Sequence, residues 1–321
     1  MAPAKRNQSR RPRRPPERDG RAEKAAEAQQ AAYQAARKVL GESASRRDAA
    51  WRQSARANRR RGALVLATPV AVLTAILVVV AIFSSILWIA AIAVAVAGGA
   101  TAALVWHRSS AILSRRLGGV PVEVSPAGRQ PGIKPVDAAR LIDVTEGLCA
   151  ALGIRRCEVR VLEDPCANAI SFGAGPDNGT VLLTSGLVAV LDRIELEAVL
   201  AHELAHLKSG DTSTGAVAAL VAMWLGGVLP FVRSRSASLA GREREPLADL
   251  AAVGATRYPP GLASALDKLA GSARRPTSLP RQLTDATSGL WLAPFEDRPL
   301  VGSVHPGALD LEDRIAALRE L

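Results

Sequence analysis

Forty-four consecutive residues, 63–106, carry no charged side chain. As a single α-helix this stretch would run about 66 Å at ~1.5 Å per residue, twice the ~30 Å hydrocarbon core of a bilayer, so it must fold back on itself. Ser84 and Ser85 lie at its middle and mark the expected turn. Two spans result, near 63–83 and 86–106, with Trp88 and Trp106 where interfacial aromatics belong. Arg59, Arg60 and Arg61 flank one end, and Arg108, Arg115 and Arg116 the other. The positive-inside rule then puts both ends of the hairpin in the cytoplasm. Ala95, Gly99 and Ala103 form a row of small residues that would let the two helices approach closely.

The charge of the chain is concentrated ahead of this hairpin. The whole sequence has a formal charge of +11, of which residues 1–61 carry +12 and the remaining 260 residues −1. Residues 1–20 are rich in Arg and Pro, with no apolar run to offset the entropy of ordering, and read as disordered. Residues 21–58 are Ala-rich with Glu, Gln, Lys and Arg and read as a solvated helix broken near Gly41. A basic leader this long argues against a cleavable signal peptide. Aromatic residues are only 3% of the chain, too few for base-stacking surfaces, so anionic lipid rather than nucleic acid is the expected partner of the arm. At 321 residues the chain is too long for a minimal disulfide-stapled scaffold, and three cysteines without a CxxC pair fit a reducing compartment.

Beyond the hairpin, residues 117–321 have mixed globular character. Strand-like alternation at 158–163, and apolar runs at 169–172 and 180–184 around a GPDNG turn, predict a small sheet with a hairpin. Asp192 followed by Glu195 is a capping box opening a helix that continues through VLAHELAHL toward Gly210. Helical patterns recur at 246–257, 260–271 and 308–320. Residues 215–232 are uncharged and just long enough to span a bilayer, but one crossing there would separate groups that must meet. An interfacial or partly embedded helix is the expectation.

The sequence HELAH places His202 and His206 four apart, one turn up the same helix face, with Glu203 between them. Two imidazoles so placed can bind one zinc ion while the glutamate stands beside it as general base. Only four histidines occur in the chain, His107, His202, His206 and His305, and two of them fall in this pattern. A catalytic zinc needs a third protein ligand and an open position. Glu245, in EPLADLAAVGA, is the expected third ligand, with Glu243 as competitor. Asp249, one turn further on, would hydrogen-bond a ligand imidazole.

HELAH followed by an ExxAD helix, with a membrane hairpin before it, resembles the HtpX-like membrane zinc metallopeptidases, gluzincin-type relatives of the CAAX prenyl endopeptidases. Asn168-Ala169, the run EAVLAHELAHLKSGD, and His305-Pro306 with LEDRI add to the likeness, while Pro246 departs from the large apolar or aromatic residue usual there. The resemblance implies a mainly α fold with a small β-sheet, an α+β zincin-like metallopeptidase domain behind an N-terminal transmembrane helical hairpin. It implies three parts: a basic arm at 1–61, a hairpin at 62–107 and a peptidase domain at 117–321 with a membrane-associated helix at 215–232. It implies an endopeptidase with one Zn²⁺ per chain held by His202, His206 and Glu245, with Glu203 catalytic. Asn168 and Ala169 would lie near the edge strand that aligns the peptide, and His305 or Arg314 would assist the oxyanion. A bacterial-type inner membrane, with N-terminus and catalytic domain facing the cytoplasm, is the implied location, and processing or quality control of membrane proteins the implied role. The competing reading is a non-catalytic adaptor that recruits partners through its basic arm.

Overall fold

The computed structural model describes residues 44–81, 85–123, 132–155, 157–173, 175, 178–225, 244–270, 275–293, 295 and 311–321, besides 31, 34 and 38. Two long helices come first, α1 (Ala44–Ala81) and α2 (Ser85–Leu117), packed against each other. The stretches Ala49–Val79 and Ala91–Leu117 are long and apolar enough to cross a membrane, and their outer faces expose Leu73, Ile76, Val79, Ile92, Val96 and Leu104. The expected turn falls at residues 82–84, outside the described residues, and Ser85 opens α2. Helix α1 continues unbroken across residue 61, so the end of the basic arm and the first apolar span are one element.

The small-residue contact between these helices differs from the row expected. A Cβ on Gly98 would come 2.9 Å from Val70, and one on Gly62 would come 2.5 Å from the Trp106 ring, whereas Gly99 has nothing within 4 Å. One residue is a rotation of about 100° on a helix of 3.6 residues per turn, enough to turn the row aside. Gly99 and Ala103 instead line an apolar groove of about 840 Å³ between α1 and α2.

The globular part is built on a mixed sheet of β1 (Val120–Pro121), β2 (Cys157–Leu162), β3 (Ala169–Gly173) and β4 (Gly179–Thr184), in the spatial order β1-β2-β4-β3. Pairing is antiparallel for β1 with β2 and for β3 with β4, and parallel for β2 with β4. The helices are α3 (Pro135–Leu152), α4 (Ser185–Val190), α5 (Arg193–Ser209), α6 (Asp211–Leu225), α7 (Arg244–Thr256), α8 (Pro259–Ala270), α9 (Arg281–Thr287) and α10 (Leu311–Arg319). Both faces of the sheet are covered. Ala169, Val181 and Leu183 pack with Val199, Leu200 and Leu204 of α5, while Ile170, Phe172 and Leu182 pack with Leu113, Ala216 and Ala219 of α2 and α6. This double burial is why β3 and β4 read as almost continuous apolar runs.

Helix α5, which carries HELAH, is fixed at both ends. The Asp192 carboxylate accepts from the Glu195 amide at 2.9 Å, and Glu195 accepts from the Asp192 amide at 2.8 Å, completing the capping box. Gly210 ends the helix with φ 69°, its amide donating to the carbonyls of His206 and Leu207. Asp192→Ala should cost about 1 kcal/mol in chemical denaturation, the usual value of an N-cap.

Helix α6 lies buried against α1, α2 and β3. Val217 and Val221 pack with Val65 of α1, so the apolar character of α6 answers to protein neighbours as well as to its length. Residues 226–232, the rest of that apolar segment, lie outside the described residues. Two hydrogen bonds tie α1 to the end of the HELAH helix and to the first turns of α6. Asn58 Nδ2 donates to the Ser209 carbonyl at 3.2 Å, and Thr214 Oγ1 donates to the Asn58 carbonyl at 2.6 Å.

Residues 290–293 cross the outer edge of β3. The Leu292 amide donates to the Ala169 carbonyl at 2.9 Å, and Trp291 forms a bridge with Ile170.

Candidate metal centre

His202 and His206 are fully buried on one face of α5, with their Nε2 atoms 3.0 Å apart. Each ring has a carboxylate behind it. His202 Nδ1 lies 2.8 Å from Asp249 Oδ1, and His206 Nδ1 lies 2.8 Å from Asp211 Oδ2. A carboxylate at Nδ1 holds the proton on that nitrogen and leaves the Nε2 lone pair facing forward. Two such lone pairs converging at 3.0 Å repel unless a proton or cation lies between them.

Helix α7 delivers Glu245 to the same point, its Oε2 3.4 Å from His202 Nε2 and its Oε1 3.5 Å from His206 Nε2. The three donor atoms lie within 4.8 Å of one another, the only such group among the described residues. Glu203, the residue after His202, is 1% exposed, and its Oε2 has no hydrogen-bond partner among the described residues. An ionisable oxygen left bare in a buried site calls for a water or substrate group there.

Electrostatics agree. Four carboxylates (Glu203, Asp211, Glu245, Asp249) and two guanidiniums (Arg244, Arg314) meet around the imidazoles, a formal −2 when the rings are neutral. That deficit is the charge of one divalent cation. Burial opposes ionisation of Glu245, yet His206 and Arg314 outweigh it and hold the carboxyl well below the usual range. Burial likewise works against Asp249, but Arg314 and then His202 draw it down to about 2. For His206, burial and Arg244 push the pKa down, while Asp211 and Glu245 push harder and raise it to about 10. Positive charge is therefore favoured between these rings, and the two imidazoles and one carboxylate form the donor set that suits zinc.

The sequence profile of peptidase family M48 matches residues 135–321. The chain belongs to that family. A protease HtpX homolog of Dictyoglomus thermophilum is 33% identical over 217 aligned positions, covering 56% of this chain and 68% of the relative. A protease HtpX homolog of Streptococcus uberis is 29% identical over 217 positions, covering 56% and 72%. Another, from Tropheryma whipplei, is 33% identical over 220 positions, covering 58% and 73%. No solved structure matches the chain. M48 members are zinc metallopeptidases, and the His202–His206–Glu245 group gives this M48 chain a place for the metal.

The remaining residues singled out in the sequence fall as follows. Asp249 Oδ1 stands 2.8 Å from His202 Nδ1. Arg314, on α10, presents Nε and Nη2 to Asp249 at 2.9 and 2.6 Å, and Nη1 to Glu245 Oε2 at 3.2 Å and to the Leu292 carbonyl at 3.3 Å. The structure thus places Arg314 behind the ligands, holding carboxylates. Asn168 sits at the head of β3, an edge strand by sheet order, and brackets Ala293: its Nδ2 donates to the Ala293 carbonyl, and its Oδ1 accepts from the Ala169 and Ala293 amides. Ala169, its carbonyl bonded to Leu292, is the first residue of β3. His305 and Glu243 lie outside the described residues. Sequence reasoning missed Asp211, although it closes the run HELAHLKSGD one residue past the glycine that ends α5. It also missed Arg244, directly before Glu245.

Proposed function

We propose that this chain is a membrane-anchored endopeptidase that binds one zinc ion through His202, His206 and Glu245 and cuts proteins at the cytoplasmic face of a bacterial-type inner membrane. The observation that carries the reading is the convergence of His202, His206 and Glu245 on one point, each imidazole with a carboxylate at its Nδ1, on a helix where the next residue, Glu203, is buried with a bare carboxylate oxygen. Zinc bound there supplies a Lewis acid for the scissile carbonyl and a more acidic water. Glu203 takes the proton of the attacking water on Oε2 and returns it to the leaving amine. Its burial keeps competing solvent away from that oxygen. Asp249 and Asp211 keep the imidazoles in the tautomer that presents Nε2. Arg314 holds Asp249 and Glu245 in place. An extended substrate adds alongside β3, with Asn168 and Ala169 setting its limit through the bonded segment at 291–293.

Arginines near both ends of the hairpin support the orientation and a contact with anionic lipid. Arg59, Arg60, Arg61, Arg108, Arg115 and Arg116 are all exposed. A protease whose anchor is hydrogen-bonded to its catalytic helix suits membrane-protein substrates, so processing or quality control of such proteins is the proposed role. Full-length protein purified in detergent should contain one zinc per chain and cleave casein. Chelation should stop cleavage and added zinc restore it. Chelator-insensitive cleavage, or zinc-replete protein that cuts nothing, would overturn the proposal.

A further inference from the structure

The two imidazoles are held by two matched assemblies, of which the sequence suggested only Asp249. On one side His202 rests on Asp249, and Asp249 on Arg314. On the other His206 rests on Asp211, and Arg244 lies 3.6 Å from the same Asp211 oxygen. Both guanidiniums then reach Glu245, Arg314 at Oε2 and Arg244 Nε at Oε1, 3.1 Å away. Each oxygen of Glu245 therefore has one imidazole in front and one guanidinium behind.

We propose that Arg244 is a positioning residue that sets the orientation of Glu245 and, through Asp211, of His206, so that their donor atoms face a common point. The inference rests on the zinc reading above. Arg244 is the first residue of α7, and its side chain is only 9% exposed. A guanidinium at the surface would lose most of its hold to water, whereas a nearly buried one is a firm partner for two carboxylates. Both contacts run from its Nε, 3.1 Å from Glu245 and 3.6 Å from Asp211, so Arg244 acts as one nearly buried positive charge shared between the two carboxylates. It also supplies half of the positive charge that the protein places against four carboxylates. Without it Glu245 keeps one guanidinium, and Asp211 keeps only His206, among the described residues. Nη1 of Arg244 further donates to the Gly289 carbonyl at 3.5 Å, close to the segment that crosses β3, as Arg314 does to Leu292. Both guanidiniums thus join the metal ligands to the edge along which a substrate would lie.

The test uses full-length protein in detergent, comparing wild type with Arg244→Gln and Arg244→Lys. Zinc affinity is measured by competition with a chromophoric chelator, and kcat and KM on a quenched peptide. The thermal midpoint of the metal-free protein is read alongside them. Loss of a residue that orients metal ligands typically weakens metal binding or activity by about 10–100-fold. Arg244→Gln should show a loss of that size in zinc affinity, with kcat falling more than KM rises and the metal-free midpoint nearly unchanged. Arg244→Lys should recover part of the affinity. Should the Gln variant fail to fold, Arg244→Lys decides, with weaker zinc binding at an unchanged metal-free midpoint as the supporting result. Wild-type affinity in the folded variants, or a metal-free midpoint that falls in step with zinc affinity, overturns the inference while leaving the zinc reading intact. A wild type that binds no zinc overturns both.

Discussion

Glu203→Gln should keep the metal and lose proteolysis. The substitution preserves shape and removes only the ability to hold a proton. Glu203 is not one of the three convergent donors, so zinc content should stay at the wild-type level. Its Oε2 is buried without a hydrogen-bond partner among the described residues, so no group already bonded to it is placed to take over the proton transfer. General acid–base catalysis by a placed side chain is worth about 10²- to 10⁴-fold, and kcat should fall by at least that much. Zinc analysis and a casein assay on one preparation check both halves. Cleavage at the wild-type rate would remove Glu203 from its role, and loss of zinc would mean that it is a ligand.

His202→Ala should lose zinc and activity together, and stability as well. The ring fills a fully buried site and faces Asp249, itself 0% exposed, so removing it leaves a cavity and deprives that carboxylate of one partner. A cost of about 2–4 kcal/mol is the usual scale for such a loss. Zinc adds a signature of its own, because a ligand bound only to the folded state stabilises it by about 4 kcal/mol at a thousand times its dissociation constant. Thermal unfolding with and without added zinc should therefore show a metal-dependent rise for wild type and Glu203→Gln and none for His202→Ala. A zinc-dependent rise in the alanine variant would exclude His202 from the ligand set.

What could be read in the sequence, and what could not, follows from the range of the interactions. The capping box at Asp192 and the four-residue spacing of His202 and His206 are local, written within one or two helical turns, and the structure reproduces both. The hairpin of β3 and β4 was equally legible, since the GPDNG turn and the flanking apolar runs are adjacent. The bracket between Asn168 and Ala293 joins residues 125 apart, and nothing local signals it. Sequence placed Asn168 by an edge, and the structure adds that residues 291–293 already lie along part of it. Arg244 was hidden for another reason. In a stretch reading GREREPLADL, one arginine among several charges looks like a solvated helix start, and only folding reveals which of them turns inward. The protein neighbours of α6 were not legible, because an apolar helix of that length suits a bilayer interface as well as a protein interior, and composition does not separate the two.

The hydrogen bonds from Asn58 to Ser209 and from Thr214 to Asn58 bear on how this enzyme can be handled. A fragment begun after residue 117, the obvious choice for a soluble preparation, would strip the cover from Val217 and Val221 and leave the Ser209 carbonyl without its donor, three residues from His206. Such a truncation should be sticky and metal-poor. The first helix is thus better regarded as a wall of the catalytic chamber than as a tether, and crystallisation efforts will fare better with the hairpin kept.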